Sequence, residues 1–337
     1  MKLRTKYVIF FSTLMVIALI ARQFTIPQPS VNAAEGYSFP PNQEIAVWEW
    51  RTPSYFKTST IRSQYFSQLS KEGVNTVYVN IKNFLEVYSS QRDRELKIAN
   101  FNRQSADFIA AAKSYGIKVH ALAGAADWFK AEKSDNVFIL LNHILDYNYK
   151  NTYKFAGINF DIEYYTLSDY KTNRAAYASQ YLNMVDRMIA TIKSSRHSYM
   201  NLGLTIPFWI DKVNANNPSI VYKNTTATPG VHLMNLLSRH SQTYLSIMAY
   251  RNFYDGADGT VNLVKDELDY IKSKNYSTRV IVGQETYNVL PAFITYYGKT
   301  KQNLKYNTLM IAQAYANNDH MAGFAIHTAD SFLKLAP

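Results

Sequence analysis

The fold class is decided by three consecutive segments: IKVHALAG (117–124), NVFILLNHILDYNYK (136–150) and FAGINFDIE (155–163). The first and third are short apolar runs bounded by loop residues, which is typical of buried strands. The middle segment is longer and carries its apolar residues at helical spacing. Together they predict a strand, a helix and a second strand that runs parallel to the first.

The same alternation continues through the chain from residue 37 onwards. Strands are predicted at 45–50, 74–81, 117–124, 155–163, 200–210, 243–250, 279–286 and 321–328, with helices at 61–73, 105–116, 136–150, 175–195, 231–240, 261–275 and 304–318. Eight strand–helix units, the last helix being reduced to a short tail, predict an α/β protein with a closed (β/α)8 TIM barrel. We therefore expect residues 37–337 to form one barrel domain. A doubly wound sheet is the alternative, although no G-x-G-x-x-G turn follows the first predicted strand.

The predicted strand 155–163 carries two acidic residues near its C-terminal end, Asp161 and Glu163. Because side chains alternate along a strand, both share a face with Asn159, and successive residues on that face lie about 6.6 Å apart. In a barrel mouth, burial and mutual repulsion raise the pKa of at least one such carboxyl. We expect Glu163, nearest the open end, to act as a general acid, with Asp161 holding or polarising it. The alternative is that neighbouring strands supply Arg or Lys partners in interior salt bridges.

Further site residues are expected at the C-terminal ends of the strands, where (β/α)8 barrels carry their active sites. The predicted substrate-binding residues are Asn159, Trp48, Trp50, Trp128, Tyr164, Arg251, Glu285 and His327. Aromatic residues make up 15% of the chain, with 27 Tyr. Because aromatic rings pack against the C–H faces of sugars, this composition predicts a carbohydrate ligand, with core packing as the alternative for individual rings.

No metal site, cofactor or nucleic-acid interface is predicted. The 7 histidines are scattered, without H-E-x-x-H or paired ligand spacing. The chain has no cysteine, which excludes disulfides and cysteine nucleophiles, and it has no G-x-S-x-G elbow. Dense Lys/Arg runs, zinc-finger spacing and RNA-binding signatures are absent from the sequence as well.

Residues 1–33 are predicted to be an export segment, either a cleaved signal peptide or an uncleaved membrane anchor. Lys2, Arg4 and Lys6 precede the apolar run YVIFFSTLMVIALIA, and small residues around Ala33 offer a cleavage site. The apolar run is short for a membrane span, which needs about 20 apolar residues. Both alternatives put the folded domain outside the cytoplasm, so we expect a secreted or extracellular protein.

The formal net charge of +11 bears on the partners of the protein. It favours attraction to an anionic cell surface or membrane, with solubility as the simpler explanation. The expected partner is a polysaccharide substrate, and we expect the protein to be a monomer.

The stretch AGINFDIEYY resembles the D-x-x-D-x-D-x-E signature of glycoside hydrolase family 18, which ends the fourth strand of a barrel. Asp161 and Glu163 occupy the last two acidic positions of that signature. Ala156 and Asn159 stand where the family has its first two aspartates.

Two further segments resemble the same family. MAYRNF at 248–253 is similar to its sixth-strand motif, with Tyr250 at the place of the substrate-contacting tyrosine. ALAGAADW, after the third predicted strand, resembles its S-x-G-G segment more weakly.

The resemblance implies a chitinase-like glycosidase that hydrolyses an N-acetylhexosamine-containing glycan, of cell-wall or exopolysaccharide type, with retention of configuration. In that family the nucleophile is the oxygen of the sugar's own N-acetyl group, not an enzyme carboxylate. Carried over residue by residue, Glu163 would be the acid/base and Asp161 would orient the acetamido group. Tyr250 would hydrogen-bond the acetamido oxygen.

Two departures from the family pattern keep other hypotheses open. His327 stands where many members have a tryptophan beneath the reacting sugar, and Asn159 removes one negative charge. These departures favour, as one alternative, a catalytically weak or inactive glycan-binding barrel. Another alternative is a two-carboxylate glycosidase of a different barrel family, with Glu163 and Glu285 about 5 Å apart if configuration is retained.

Overall fold

The structure, a computed structural model, describes residues 36–51 and 58–337. The predicted export segment 1–33 lies outside the described residues. Eight parallel strands form a closed barrel. They are β1 (Glu44–Glu49), β2 (Thr76–Asn80), β3 (Lys118–Ala123), β4 (Gly157–Asp161), β5 (Asn201–Pro207), β8 (Thr243–Met248), β9 (Arg279–Glu285) and β10 (Met321–His327).

The strand pairing confirms the predicted (β/α)8 barrel. β1 pairs in parallel with β2 on one side and with β10 on the other, so the sheet has no free edge. The doubly wound alternative is wrong, because such a sheet is open at both ends. A short antiparallel hairpin of β6 (Ile220–Tyr222) and β7 (Thr225–Ala227) is an addition to the predicted elements.

Helices follow the strands and cover the outside of the barrel. They are α1 (Ser59–Lys71), α2 (Phe84–Tyr88), α3 (Arg94–Ser114), α4 (Asp135–Lys150), α5 (Tyr170–Ser194), α6 (Pro229–Leu237), α7 (Thr260–Leu263), α8 (Lys265–Ser273), α9 (Lys301–Ala314) and α10 (Ala329–Leu333). The predicted start of a helix at Ser105 is wrong, because the helix begins at Arg94. The residues between Arg94 and Ser105 are mostly polar and exposed, and they are helical as well. Among the described helices, none combines the length and the apolarity needed to cross a membrane.

The larger hydrophobic core lies between the strands and the helices. Tyr181, Val185, Met188 and Ile192 of α5 all face this outer core, as their helical spacing predicts, and none is more than 2% exposed. Burying one apolar face of each helix against the sheet stabilises the barrel.

A smaller inner core fills the inside of the barrel, with Trp48, Tyr78 and Tyr244 as its largest members. The Tyr78 hydroxyl donates a 2.7 Å hydrogen bond to Glu44 Oε1, and the Tyr244 hydroxyl lies 2.9 Å from Nδ1 of His120. The ring of Tyr244 fits only because residue 203 is glycine, since a Cβ there would lie 2.1 Å from Tyr244 Cζ. Tyr78 and Tyr244 fill the lower part of the barrel and Trp48 lies above them, next to the C-terminal end where a site is expected.

Candidate active site

The C-terminal end of β4 brings the predicted acids to the barrel mouth. Phe160 and Ile162 are buried in the outer core, so the alternating residues Asn159, Asp161 and Glu163 face the inside of the barrel. Asp161 and Glu163 are half-buried, and Glu163 lies just past the strand, before the 3-10 turn at 164–166. Glu163 is therefore accessible from solvent, as an acid that meets a substrate has to be.

Asn159 lies one step deeper than the acids and is fully buried. Its Oδ1 accepts a 2.9 Å hydrogen bond from Thr205 Oγ1, and its Nδ2 donates a 3.3 Å bond to Ser246 Oγ. The prediction that Asn159 binds substrate is wrong, because these neighbours and Asp161 separate it from solvent. Asn159 instead forms part of a neutral, hydrogen-bonded layer beneath the two acids.

The two acids hold protons more tightly than ordinary carboxyls. Burial and the Glu163 carboxylate raise the pKa of Asp161 well above its ordinary value, although the charge of His327 opposes the rise. Burial also raises the pKa of Glu163, against the hydrogen bond from Tyr165 and the charge of His327. The Tyr165 hydroxyl donates a 2.7 Å hydrogen bond to Glu163 Oε1. In contrast, Asp161 Oδ1 has no hydrogen-bond partner among the described residues. The sequence predicts that Glu163 carries the proton before substrate binds. Because only Glu163 has a hydrogen-bond donor for its anion, the structure favours Asp161 as the proton carrier instead.

The interior salt-bridge alternative does not describe this pair. Within residues 36–51 and 58–337, no Lys or Arg side chain forms an ion pair with Asp161 or Glu163. The basic group that faces both carboxyls is the imidazole of His327, at the end of β10. The electrostatics of the mouth therefore depend on the protonation of Asp161, Glu163 and His327.

Tyr250 follows β8 and faces the same acids. Burial and the carboxylates of Glu285, Asp161 and Glu163 raise its pKa well above the ordinary value, so the phenol stays neutral and can donate a hydrogen bond. The ring occupies space left by Gly283, where a Cβ would lie only 3.2 Å from Tyr250 Cε1. Tyr250 therefore lies among the acids of the mouth, and its role there stays a prediction.

His327 and Glu285 form a hydrogen-bonded pair on the far side of the mouth. Nδ1 of His327 lies 2.9 Å from Oε2 of Glu285, while Glu285 Oε1 accepts 2.8 Å and 2.6 Å bonds from the backbone nitrogens of Thr286 and Tyr287. Glu285 is only 5% exposed, so its predicted contact with substrate is wrong. His327 is 31% exposed and remains in a position to meet a ligand.

The predicted tryptophans lie at different depths. Trp48 is 1% exposed in the inner core, with its ring 6.1 Å from that of His327, and Trp128 is 3% exposed in the outer core. Their predicted contact with substrate is wrong, because surrounding side chains cover both rings. Trp50 is half-buried beside the inner core and keeps a face toward solvent.

Tyr164 does not line the mouth as predicted. It is 1% exposed and packs in the outer core against Phe129, Tyr170 and Tyr181. The reason is the alternation along the chain, which places Tyr164 on the outward face together with Phe160 and Ile162.

Arg251 is buried and is used structurally, since each of its three guanidinium nitrogens donates a hydrogen bond within the protein. Nε and Nη2 donate hydrogen bonds of 2.9 Å and 2.6 Å to the Asp258 carboxylate. Nη1 donates a hydrogen bond of 2.7 Å to the carbonyl oxygen of Tyr250. The guanidinium lies 5.1 Å and 5.3 Å from the rings of Phe208 and Phe293. Arg251 therefore holds in place the loop that carries Tyr250.

Tyr165 and Trp209 complete one wall of the mouth. Both are half-buried, and their rings meet edge to face at 5.1 Å. Trp209 follows the end of β5 and Tyr165 lies next to the predicted acid Glu163, and these two positions are the sequence signals that favour cleft-lining rings.

Two surface depressions lie away from this mouth. One, of about 490 Å³, lies among loops at the N-terminal ends of the strands and is lined in part by Lys193 and Arg239. The other, of about 320 Å³, is lined in part by Phe39 and Lys305. Neither is lined by the predicted site residues. In the part of the chain that the structure describes, no group of 3 or more His, Cys, Asp and Glu side chains is arranged to hold a metal ion.

No protein-family model matches the chain, and no curated protein matches it either. Solved structures are similar in fold. The β-mannanase of the blue mussel Mytilus edulis is 11% identical, over 90% of this chain and 95% of that chain, with a TM-score of 0.51. The β-glucosidase of Thermotoga maritima is 10% identical, over 86% and 89%, also with a TM-score of 0.51. A family GH18 chitinase of Cycas revoluta is 10% identical, over 86% and 96%, with a TM-score of 0.47. At these identities the likeness concerns the fold: the chain has the (β/α)8 barrel found in glycoside hydrolases.

Proposed function

We propose that this protein is an exported glycoside hydrolase that acts on an N-acetylhexosamine-containing glycan of cell-wall or exopolysaccharide type. The observation that carries the proposal is the convergence of Asp161, Glu163 and Tyr250 at the barrel mouth, where their charges act on one another. A carboxyl pair that retains a proton suits acid–base hydrolysis of a glycosidic bond. The resemblance of residues 156–165 to the family 18 signature supports the same reaction.

In the first step, the substrate's acetamido N–H meets Asp161 and favours its anion, so that the shared proton moves to Glu163. Glu163 then donates this proton to the glycosidic oxygen as the C1–O bond breaks. The acetamido carbonyl oxygen bonds to C1 at the same time, and Asp161 stabilises the positive charge that develops on the acetamido group. Tyr250 donates a hydrogen bond to that oxygen and holds it in line with C1.

In the second step, the Glu163 carboxylate takes a proton from water as the water oxygen bonds to C1. The bond from C1 to the acetamido oxygen breaks, and the acetamido group is restored. Two displacements at C1 leave its configuration retained. Trp50, Trp209 and Tyr165 offer half-buried rings on which sugar faces can pack at the mouth.

The two-carboxylate alternative has less support. A nucleophilic carboxylate needs an oxygen free to attack C1. Both oxygens of Glu285 are engaged, one by the backbone nitrogens of Thr286 and Tyr287 and the other by His327. Glu285 is therefore better suited to anchor His327 than to attack a sugar.

Export and location belong to the proposal and rest on the sequence. Residues 1–33 support a secreted or extracellular protein, cleaved or anchored at that segment. The net charge of +11 supports attraction to an anionic cell surface. We propose that the protein acts there as a monomer on a polysaccharide, without a metal or cofactor.

The proposal is tested with pairs of oligosaccharides that differ only in N-acetylation of the reacting hexosamine. We expect reducing ends to be released from the acetylated member alone, because the acetamido oxygen is the nucleophile. Proton NMR of early time points should show the product first in the retained configuration. First appearance of the inverted anomer, or equal hydrolysis of the deacetylated member, contradicts the mechanism. Binding without release of any product favours the glycan-binding alternative.

A further inference from the structure

The end of β10 carries an imidazole whose hydrogen-bond partner lies on the neighbouring strand. His327 of β10 and Glu285 of β9 are paired in the parallel register of the barrel. Their side chains extend to the same side of the sheet and meet at 2.9 Å, between Nδ1 and Oε2. The pair is therefore fixed by two rigid strands and not by a loop.

The carboxyl group of Glu285 is held in place by hydrogen bonds at both of its oxygens. Its Oε1 accepts hydrogen bonds from two successive backbone N–H groups, those of Thr286 and Tyr287. These two donors fix the orientation of the carboxyl group and leave Oε2 directed at His327. A buried carboxylate next to Nδ1 favours a second proton on the imidazole of His327.

The groups that face His327 come from four other strands or the loops that follow them. Asp161 and Glu163 approach from the end of β4, Glu285 from β9 and Tyr250 from the end of β8, with the Tyr250 ring centroid at 6.4 Å. On the remaining side lies Trp48 of β1, with its ring centroid at 6.1 Å. His327 is thus the one described cationic side chain among three carboxyl groups and two aromatic rings.

We propose that His327, kept as an imidazolium by Glu285, is a positioning residue that limits the Asp161–Glu163 pair to a single shared proton. This inference rests on the proposed function, because it assigns His327 a part in that reaction. Burial favours protonation of both acids, whereas their mutual repulsion is already relieved by one proton. A doubly protonated pair retains an acid for the first step but lacks the anion that stabilises the acetamido charge. The positive charge of His327 opposes uptake of the second proton.

The sign of the effect follows from the contacts. The carboxylates of Glu285, Asp161 and Glu163 raise the pKa of His327 although burial opposes the rise. In return, the imidazolium lowers the pKa values of Asp161 and Glu163 from the level that burial sets. Removing the positive charge must therefore shift both ionisations of the acid pair to higher pH.

The direct test is NMR titration of the histidine rings in the full folded protein labelled at histidine. The His327 resonance is assigned by its loss in His327→Gln. We expect His327 to be protonated at pH 7, and Glu285→Gln to lower its titration midpoint by at least about one pH unit. His320→Gln, at the opposite end of the barrel, is the control and should leave the midpoint unchanged. A His327 ring that is neutral at pH 7 in the wild type overturns the proposal.

The second test uses the reaction. The pH profile of kcat/KM for His327→Gln should have both limbs shifted to higher pH by about one unit relative to the wild type. His320→Gln should have the wild-type profile. Unmoved limbs in an active His327→Gln variant overturn this inference and leave the proposed function intact. If the wild type hydrolyses no glycan, the proposed function fails, and the histidine titration still decides whether Glu285 holds a charged His327.

Discussion

The hydroxyl of Tyr165 donates a 2.7 Å hydrogen bond to Oε1 of Glu163, two residues before it in the chain. No comparable donor reaches Oδ1 of Asp161 among the described residues. The two acids therefore differ in how well their anions are stabilised, although both are half-buried at the same mouth. This difference, more than burial, sets where the shared proton resides before substrate arrives.

Tyr165→Phe should raise the pKa of Glu163 further, because the anion loses its hydrogen-bond donor. A hydrogen bond to a charged group contributes about 1.5–3 kcal/mol, so the alkaline limb of the pH–rate profile should move up by at least about one pH unit. Tyr164→Phe is the matched control, since that ring lies in the outer core. The same profile for both variants would contradict the role of Tyr165.

Arg251→Met should destabilise the protein more than Asp258→Asn does. Arg251 loses its bonds to Asp258 and to the Tyr250 carbonyl, and its stacking between two phenylalanine rings, at a cost of about 1–3 kcal/mol. Asp258 is 56% exposed, so its loss should cost less than about 1 kcal/mol. The free energy of unfolding in urea measures both. A larger effect of Asp258→Asn would show that the ion pair, and not the packing, holds this loop.

Gly203→Ala should destabilise the barrel strongly. The added Cβ would lie 2.1 Å from Cζ of Tyr244, inside a core that has no room to relax. Overpacking of this kind costs about 1–3 kcal/mol or more. Gly36→Ala, with nothing within 4 Å, is the control and should leave urea unfolding nearly unchanged. Equal unfolding midpoints for both variants would contradict the account of the inner core.

The fourth prediction concerns a second acid pair, Asp211 and Glu267, beside Lys212 and Asp266. Glu267 is fully buried, and neither of its carboxyl oxygens has a hydrogen-bond partner within the described residues. Burial and the Asp211 carboxylate raise the pKa of Glu267 well above 4.5, and burial raises that of Asp211 to about 6. Since both pKa values exceed those of the unfolded chain, the contribution of this pair to the stability of the fold decreases as pH rises above about 4.5.

Glu267→Gln removes one of these ionisations. The variant should be more stable than the wild type by at least about 1 kcal/mol at pH 8, and the difference should shrink toward pH 4. Thermal unfolding across this range measures it. Asp319→Asn, an exposed acid before β10, should show no such dependence. A variant less stable than the wild type at pH 8 would refute the assignment.

The sequence predicts the barrel well because strands and helices alternate with clear periodicity. It also predicts the position of the acids of β4, because alternation along a strand fixes which residues share a face.

The burial of individual side chains is harder to predict from the sequence. Trp48 and Trp128 both lie at strand ends, yet packing against distant elements buries them. The predicted contact of Tyr164 with substrate neglects alternation, which places Tyr164 on the outward face together with Phe160 and Ile162. The partnership of Glu285 with His327 depends on the register of two strands, which single-strand patterns do not contain.

The central claim is that Glu163 transfers the proton that breaks the glycosidic bond. The most direct measurement is the rate of reducing-end release from an N-acetylated glycan by the wild type, by Glu163→Gln and by the control Asp319→Asn, which lies at the other end of the barrel. We predict a loss of at least about 100-fold in Glu163→Gln and wild-type release in Asp319→Asn. Equal release by Glu163→Gln and the wild type would contradict the account.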